Sequence, residues 1–330
     1  MPDAPTRLLA IANANAGSTA EDTLEEAMAV LRSHCPDVTV ARTGSPDELD
    51  DVLTGLGDLD QRRLVVIGGD GSIHAVVASL HRNGLLDRAE VALVPLGTGN
   101  DFARTLGVPL DAATAARIAA TSHTRPADLI VDDADEITVN GVHVGASAEA
   151  GERGAAWKKR LGRIGVGRVN LGKLGYPIGA LITALDPPMR RLQVEIDGEV
   201  VHRQRQPVLM VALGNGASVG GGAALTPHAD PHDGTVDVLI ATPSRLRSRI
   251  KVAALVPFGR HEEHSTVRIL RGRTVTISAT PGHEFDINSD GEIDGPVRRR
   301  TWHTLPASYR IVVPAEEDRV VDRPKGAHRA

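Results

Sequence analysis

The chain has 330 residues, 41% of them hydrophobic and 24% charged, with a formal net charge of −5. That length allows two domains and a sizeable core, while the acidic balance argues against general nucleic-acid binding. A single cysteine, Cys35, excludes an internal disulfide and a zinc-ligand spacing, and fits a reducing, cytoplasmic compartment. Leu8–Ala12 reads as an apolar strand running into Asn13-Ala14-Asn15-Ala16-Gly17-Ser18, a turn able to face a phosphate. Ser18 and Glu21 form a capping box, after which Leu24, Ala27, Met28 and Leu31 make one helical stripe. Val38–Ala41 is the next strand. Ser45 as N-cap, Pro46 and Glu48 open a helix with Leu49, Val52, Leu53 and Leu56 on its apolar face and a stop at Gly57. Arg63–Ile67 and Val91–Val94 are short apolar strands, followed by helices at Ser72–Leu80 and Asn100–Leu106. Such alternation with short turns predicts a parallel sheet covered on both faces, with ligands at the carboxyl ends of its strands.

After Asp128 the pattern becomes mostly β, with a sandwich expected. Ile137–Val139, Asn140-Gly141 and Val142–Val144 read as a hairpin with a type I′ turn, and Leu192–Ile196, Asp197-Gly198 and Glu199–His202 repeat the signal. Further strands are predicted at Val208–Leu213, Thr235–Ile240, Thr266–Leu270 and Thr274–Ser278, with one helix at Ser244–Val256. The charged stretch from Ala315 onward reads as disordered.

Two loops carry the chemistry. Gly68-Gly69-Asp70-Gly71 and Gly97-Thr98-Gly99-Asn100-Asp101 each sit where a buried strand meets a helix. Glycine lets the backbone approach a ligand closely, so that amides can surround phosphate oxygens, and a helix N-terminus favours the same charge. Carboxylates at Asp70 and Asp101 would repel a phosphate on their own. They suit a site where a divalent cation intervenes or where one of them takes a proton. The pattern points to nucleotide phosphates, magnesium and a transfer reaction.

The run Leu64–Ser72 followed by Pro95-Leu96-Gly97-Thr98-Gly99-Asn100-Asp101-Phe102-Ala103-Arg104 resembles the diacylglycerol kinase catalytic-domain family, which includes bacterial lipid kinases and sphingosine and ceramide kinases. The resemblance extends to Asn13–Gly17, with Ala14 where the family has proline, to Pro227–Asp237, and to Asp290-Gly291-Glu292. It implies an α/β plus β architecture: a phosphofructokinase-like N-terminal domain, a C-terminal β-sandwich domain and an active site in the cleft between them. The division expected is residues 1–127 completed by a returning segment 304–316, a substrate domain 128–303, and a tail 317–330. The implied reaction is ATP- and Mg²⁺-dependent phosphorylation of a lipid hydroxyl, with diacylglycerol giving phosphatidic acid. By the same resemblance Gly68, Gly69 and Gly71 cradle phosphates, Thr98 and Asn100 hydrogen-bond them, and Asn13, Gly17, Ser72, Gly97 and Gly99 complete the nucleotide loops. Asp70, Asp101 and Glu292 lie at the catalytic Mg²⁺. Asp290 is the favoured general base, with Asp70 as competitor. Asp230, Asp233 and Thr235 match a second, structural Mg²⁺ site.

The chain departs from the family at His74 and Ala75, where Asn and Glu are usual, and along Val142–Ala150, where only Glu149 keeps an acid. Both put the acceptor's identity in question more than the kinase chemistry. Arg153, Lys158, Lys159, Arg160, Arg163, Arg168 and Lys173 surround Trp157. They read equally as a solvated loop or as a surface for anionic lipid, each charge contributing on the order of 1 kcal/mol there. Met1–Arg7 lacks a signal-peptide pattern and no run of about 18 apolar residues occurs, so a lipid substrate is met from the surface by a peripherally associated protein. The expected partners are that lipid surface and, for self-association, a homodimer.

Two other readings stand beside the lipid kinase. NAD kinases share the first loop, which would make the acceptor a soluble metabolite, but Gly97–Arg104 has the lipid-branch form. Ala75 and the altered Val142–Ala150 stretch would suit a non-catalytic nucleotide- or lipid-binding relative, against which the retention of Asp70, Asp101, Asp290 and Glu292 weighs.

Overall fold

The computed structural model describes residues 7–13, 18–57, 59–145 and 189–320. The chain divides into two compact units. Of the described residues, the first comprises those up to Leu129, Asp230–Gly234 and 305–320; the second comprises those of 130–229 and Thr235–Thr304.

In the first unit β1 (Arg7–Asn13), β2 (Asp37–Thr43), β3 (Arg63–Gly68) and β4 (Glu90–Pro95) are parallel neighbours in the order β2-β1-β3-β4. The end of a long strand, β18 (Arg299–Val312), adds in parallel beside β4 through Arg310 and Ile311. The central strands are near-continuous buried runs, Leu8–Ala12, Leu64–Ile67 and Val91–Val94, as a sheet covered on both faces requires. β2, at the edge, is largely half-buried or exposed. Helices α1 (Ser18–His34) and α5 (Ala112–Thr121) pack on each other, as do α2 (Pro46–Thr54) and α3 (Asp70–Arg82). Ser45 caps α2 through Glu48 N, while the Glu48 carboxylate accepts Gly44 N at 2.7 Å. α2 ends at Gly55 rather than Gly57. A short α4 (Asp101–Leu106) follows the second glycine loop and ends on Gly107, which takes positive φ. The chain steps outward from β1 to β2, then returns across β1 to β3. The carboxyl ends of β1 and β3 therefore flank the switch point at which open α/β sheets bind ligands.

The second unit begins within β5 (Thr124–Asp132) and contains β6 (Ile137–Thr138), β7 (Gly141–Gly145), β8 (Leu192–Ile196), β9 (Glu199–His202) and β10 (Met210–Gly214). A small β11 (Ser218–Val219) and β12 (Ala223–Ala224) pair follows, then β13 (Val236–Ala241), α6 (Leu246–Leu255), β14 (Val267–Gly272), β15 (Thr274–Ala279), β16 (Phe285–Ser289) and β17 (Glu292–Val297). One sheet has the order β14-β13-β10-β7-β16-β17; in the other, β18, β15, β8 and β9 run side by side. Alternate residues decide the faces. Val211, Leu213, Val238, Ile240, Val142, Val144, Phe285 and Ile287 of the first sheet bury against Leu192, Val194, Ile196, Val275, Ile277 and Trp302 of the second. The intervening Ala212, Leu239 and Ala241 face the other way and pack under α6 through Val252.

Three expectations need correction. The hairpin predicted at Asn140-Gly141 does not form. β6 pairs with β5, and β7 pairs with β10 and β16. Neither Asn140 nor Gly141 takes the positive φ that a type I′ turn needs, because the amides of Val139, Asn140 and Gly141 are claimed by Asp290 and the Asn140 carbonyl by Asn215 and Gly216. At Asp197-Gly198 both residues do take positive φ, and β8 and β9 pair as expected. Second, Asp230–Gly234 joins the first unit although it lies within the stretch assigned to the sandwich. Asp128, 2% exposed, explains this: its carboxylate accepts Gly234 N at 2.6 Å and Ala307 N at 2.8 Å, and its own amide donates to the Pro231 carbonyl at 2.7 Å. Third, the start of the expected disordered tail is structured. Glu316–Asp318 form a 3-10 turn, Asp318 pairs with Arg117 at 2.7 Å, and Val320 N donates to the Gly107 carbonyl at 3.1 Å. The remainder, 321–330, lies outside the described residues.

Candidate functional site

The two glycine loops are lateral neighbours because the register of β3 and β4 sets Gly68 against Pro95. Leu96 N donates to the Gly68 carbonyl at 2.9 Å, which extends the ladder one step into the loops. Beyond it the two backbones touch: a Cβ on Gly97 would lie 2.5 Å from the Gly69 Cα, and one on Gly69 would lie 2.9 Å from the Gly97 Cα. Only glycine at both positions permits this approach. Asn100, 7% exposed and at φ 54°, closes the second loop with its side chain. Its Oδ1 accepts Gly97 N at 2.9 Å and its Nδ2 donates to the Gly97 carbonyl at 2.7 Å.

Asp70 joins the loops from the other side. Its Oδ2 accepts Asp101 N at 3.1 Å and its Oδ1 accepts Phe102 N at 3.0 Å, so the first loop's acid caps the helix of the second loop. Each such charge-assisted bond contributes on the order of 1.5–3 kcal/mol. The Ser72 hydroxyl folds back over Gly68, where an added Cβ would sit 2.2 Å from it. Gly71 and Thr98 are exposed, Asp101 is 6% exposed, and Asn13 is exposed at the carboxyl end of β1. Asp70 and Gly71, the first residues of α3, have amides with no intrahelical acceptor. The structure thus brings Gly68, Gly69, Asp70, Gly71, Ser72, Gly97, Thr98, Gly99, Asn100 and Asp101 into one fused patch. Gly17, Glu149 and the basic stretch around Trp157 lie outside the described residues. His74 is half-buried and Ala75 exposed on α3.

In the second unit Asp290 and Gly291 both take positive φ and turn β16 into β17. This is the ordinary Asp-Gly hairpin turn, with one addition. The Asp290 carboxylate accepts three amides, Val139 at 2.7 Å and Asn140 and Gly141 at 2.9 Å each. Glu292 stands exposed at the head of β17. The expectations missed Asn215, which is buried, donates to the Val139 carbonyl at 2.7 Å and secures the same turn. Its setting in Gly214-Asn215-Gly216 after a strand was the available signal. Asp128 offered none, being one acid just before the apolar run Leu129–Val131.

His143, half-buried on β7, is a further missed group. Burial pushes its imidazole down to about 4, against the pull of the Asp290 carboxylate. Burial also lowers His261, whose Nε2 lies 2.8 Å from the Leu225 carbonyl. A depressed imidazole means that the unfolded chain, titrating near 6.5, takes up protons first as pH falls. Stability is therefore full above about 6.5 and declines as pH falls toward about 4. Urea unfolding midpoints measured across that range are expected to drop for the native protein and to drop less for His143→Gln.

Among the described residues no group of three or more His, Cys, Asp or Glu side chains is placed to hold a metal ion. Asp230 Oδ1 accepts His232 N at 3.1 Å within its own turn, and Asp230 and Asp233 are exposed. Thr235 falls in the other unit. The expected second cation would draw on one carboxylate, Asp233, and on the backbone carbonyls of Asp230 and Thr235, a hard-oxygen set that does not need three acidic side chains. Asp70 and Asp101 are a different case. Magnesium in phosphoryl-transfer sites takes one or two carboxylates and completes its shell with phosphate and water, and two adjacent loop acids fit that donor set. No helix among the described residues is long and apolar enough to cross a membrane.

Comparison with known proteins agrees with this geometry. Residues 7–131 match the diacylglycerol kinase catalytic domain, and residues 158–313 match the YegS C-terminal NAD kinase beta sandwich-like domain. The chain is similar to a protein named probable lipid kinase YegS-like from Klebsiella pneumoniae, 28% identical over 302 residues, covering 90% of this chain and 93% of the relative. A protein of the same name from Xanthomonas campestris is 29% identical over 290 residues, covering 84% and 87%. A solved structure described as a diacylglycerol kinase from Bacillus anthracis superposes with a TM-score of 0.69 at 19% identity, covering 94% of this chain and 97% of that one. At that identity the likeness speaks for the fold alone. The two domains together account for most of the chain in the family's order, and the protein belongs to the diacylglycerol kinase catalytic-domain family of lipid kinases, enzymes that use ATP.

Proposed function

We propose that this protein transfers the γ-phosphoryl group of ATP to the hydroxyl of a membrane lipid, with diacylglycerol the acceptor and phosphatidic acid the product. The fused pair of glycine loops at the carboxyl edge of the parallel sheet carries this reading, set in a domain matched by the diacylglycerol kinase catalytic domain. Amides of Gly68, Gly69, Gly71 and Gly99, with the hydroxyls of Ser72 and Thr98, serve the nucleotide phosphates, flanked by Asn13. Asn100 and Gly97 keep the second loop in shape. Asp70 and Asp101 would hold Mg²⁺, which when bound neutralises phosphate charge. The acceptor oxygen forms a bond to the γ-phosphorus as the bond to the ADP oxygen breaks, and the hydroxyl proton passes to a carboxylate. We assign that proton to Asp290, with Glu292 as the second acid. Such a reaction asks the protein mainly for placement and charge neutralisation.

Labelled phosphate is expected to move from ATP to diacylglycerol in detergent micelles, in a panel that also holds other lipid alcohols and, without lipid, NAD. Glu292→Gln is expected to lower kcat at least about 100-fold with no change in melting temperature, since the side chain is exposed. Transfer to NAD alone, or to none of the lipids, overturns the proposal.

A further inference from the structure

The sandwich unit carries a second feature that the transfer reaction does not use. α6 buries Val252 against the sheet, yet its outward face is apolar as well: Leu246 is 46% exposed and Ile250 39%. Phe258, in the 3-10 turn that continues the helix, is 47% exposed. Four-residue spacing places Leu246, Ile250 and Ala254 in one row along the helix, and Phe258 prolongs it. Arg247 and Lys251, each one position further along, form an exposed row beside the first, and exposed Arg245 precedes the helix. Arg249 turns back to the Pro243 and Ser244 carbonyls. No acid lies on α6. The acids that follow it are Glu262 and Glu263, of which Glu263 pairs with Arg260 and feels Lys251.

Neither row is explained by the fold. Cations in the first turn oppose the helix dipole, and Leu246, Ile250 and Phe258 together in water exceed the scattered apolar residues of an ordinary surface. Apolar and basic rows side by side on one exposed helix are the pattern of a helix that lies in the plane of a bilayer. Self-association through this face would set Arg245, Arg247 and Lys251 of two copies against each other. An anionic lipid surface instead complements them.

We propose that α6 and the turn after it form a docking surface for an anionic membrane. Leu246, Ile250 and Phe258 enter the acyl boundary, and Arg245, Arg247 and Lys251 meet lipid phosphates. The purpose of this surface rests on the lipid-kinase reading, but the binding itself is measured apart from catalysis. Full-length protein is mixed with phosphatidylcholine vesicles with or without phosphatidylglycerol, with no ATP and no diacylglycerol, and its bound fraction is read by flotation. Binding is expected with phosphatidylglycerol, weakened by salt. Leu246→Ser/Ile250→Ser/Phe258→Ser is expected to lower the partition coefficient at least about tenfold, and Arg247→Glu/Lys251→Glu to remove the preference for phosphatidylglycerol. Both variants are expected to keep the native melting temperature and native transfer to diacylglycerol in detergent micelles. Absence of native binding, or equal binding by both variants, overturns the proposal. So does a native dimer that the serine variant abolishes without change in vesicle binding, which assigns the face to a second copy. Failure of transfer in micelles with vesicle binding intact overturns the kinase reading and leaves the docking surface standing.

Discussion

Gly97→Ala is expected to abolish phosphoryl transfer and to destabilise the first unit by about 1–3 kcal/mol, the range for a forced overlap in a packed site. The added methyl would lie 2.5 Å from the Gly69 Cα and 2.7 Å from the Asn100 Oδ1. The first is backbone, and the second is held by its own bonds to Gly97, so neither yields without opening the loops. Opening them also strains the Asp70 contacts to Asp101 N and Phe102 N. Gly71→Ala makes the informative contrast. An added Cβ there meets nothing within 4 Å, and the position is helical, so alanine is expected to leave stability unchanged or to raise it by about 0.4–1 kcal/mol. Thermal melts beside transfer assays separate the two effects. If Gly71→Ala lowers transfer while the protein melts no earlier, the methyl is blocking a ligand. If Gly97→Ala melts normally and remains active, the fused-loop account of the site fails.

Asp290→Ala is expected to lower the stability of the sandwich unit by about 2–4 kcal/mol, because three amides lose a charged acceptor at once. Activity will vanish with it, whatever Asp290 does in catalysis. Asp290→Asn decides the role. Asparagine tolerates the left-handed φ of 50° found here and keeps one acceptor oxygen, so the turn is expected to survive at a cost of about 1–2 kcal/mol. A folded Asp290→Asn protein with kcat lowered at least about 100-fold identifies a proton acceptor. Near-native kcat would confine Asp290 to anchoring Val139–Gly141 and pass the base to another acid, with Asp70 and Glu292 the candidates.

Much of the first unit was legible because its signals are local. Leu8–Ala12, Leu64–Ile67 and Val91–Val94 are unbroken apolar runs, and the two glycine loops follow them directly. α5 has no comparable signal because its buried face is Ala112, Ala115, Ala116, Ala119 and Ala120 around a single Ile118; small side chains leave no hydrophobic stripe, and only close packing against α1 gives them a role. The hairpin expected at Asn140-Gly141 failed for the converse reason. The dipeptide favours a tight turn locally, but Asp290, 150 residues away from Asn140, outbids that preference by binding its amides. Asn100 shows the same limit within the site. The family resemblance implies a phosphate contact for it, and only the fold shows that its amide group also closes the loop onto Gly97.

The sequence by itself determined the α/β and β-sandwich classes and the residues of the two loops, since periodicity and glycine spacing act over a few residues, and its motifs carried the family resemblance. Tertiary structure decided which carboxylates are anchors. Asp70, Asp128 and Asp290 each hold backbone amides of distant segments, and a carboxylate accepts whichever N–H the fold delivers to it. It also decided that Leu246, Ile250 and Phe258 face outward. Both faces of α6 are apolar, and burial of one face leaves the other exposed.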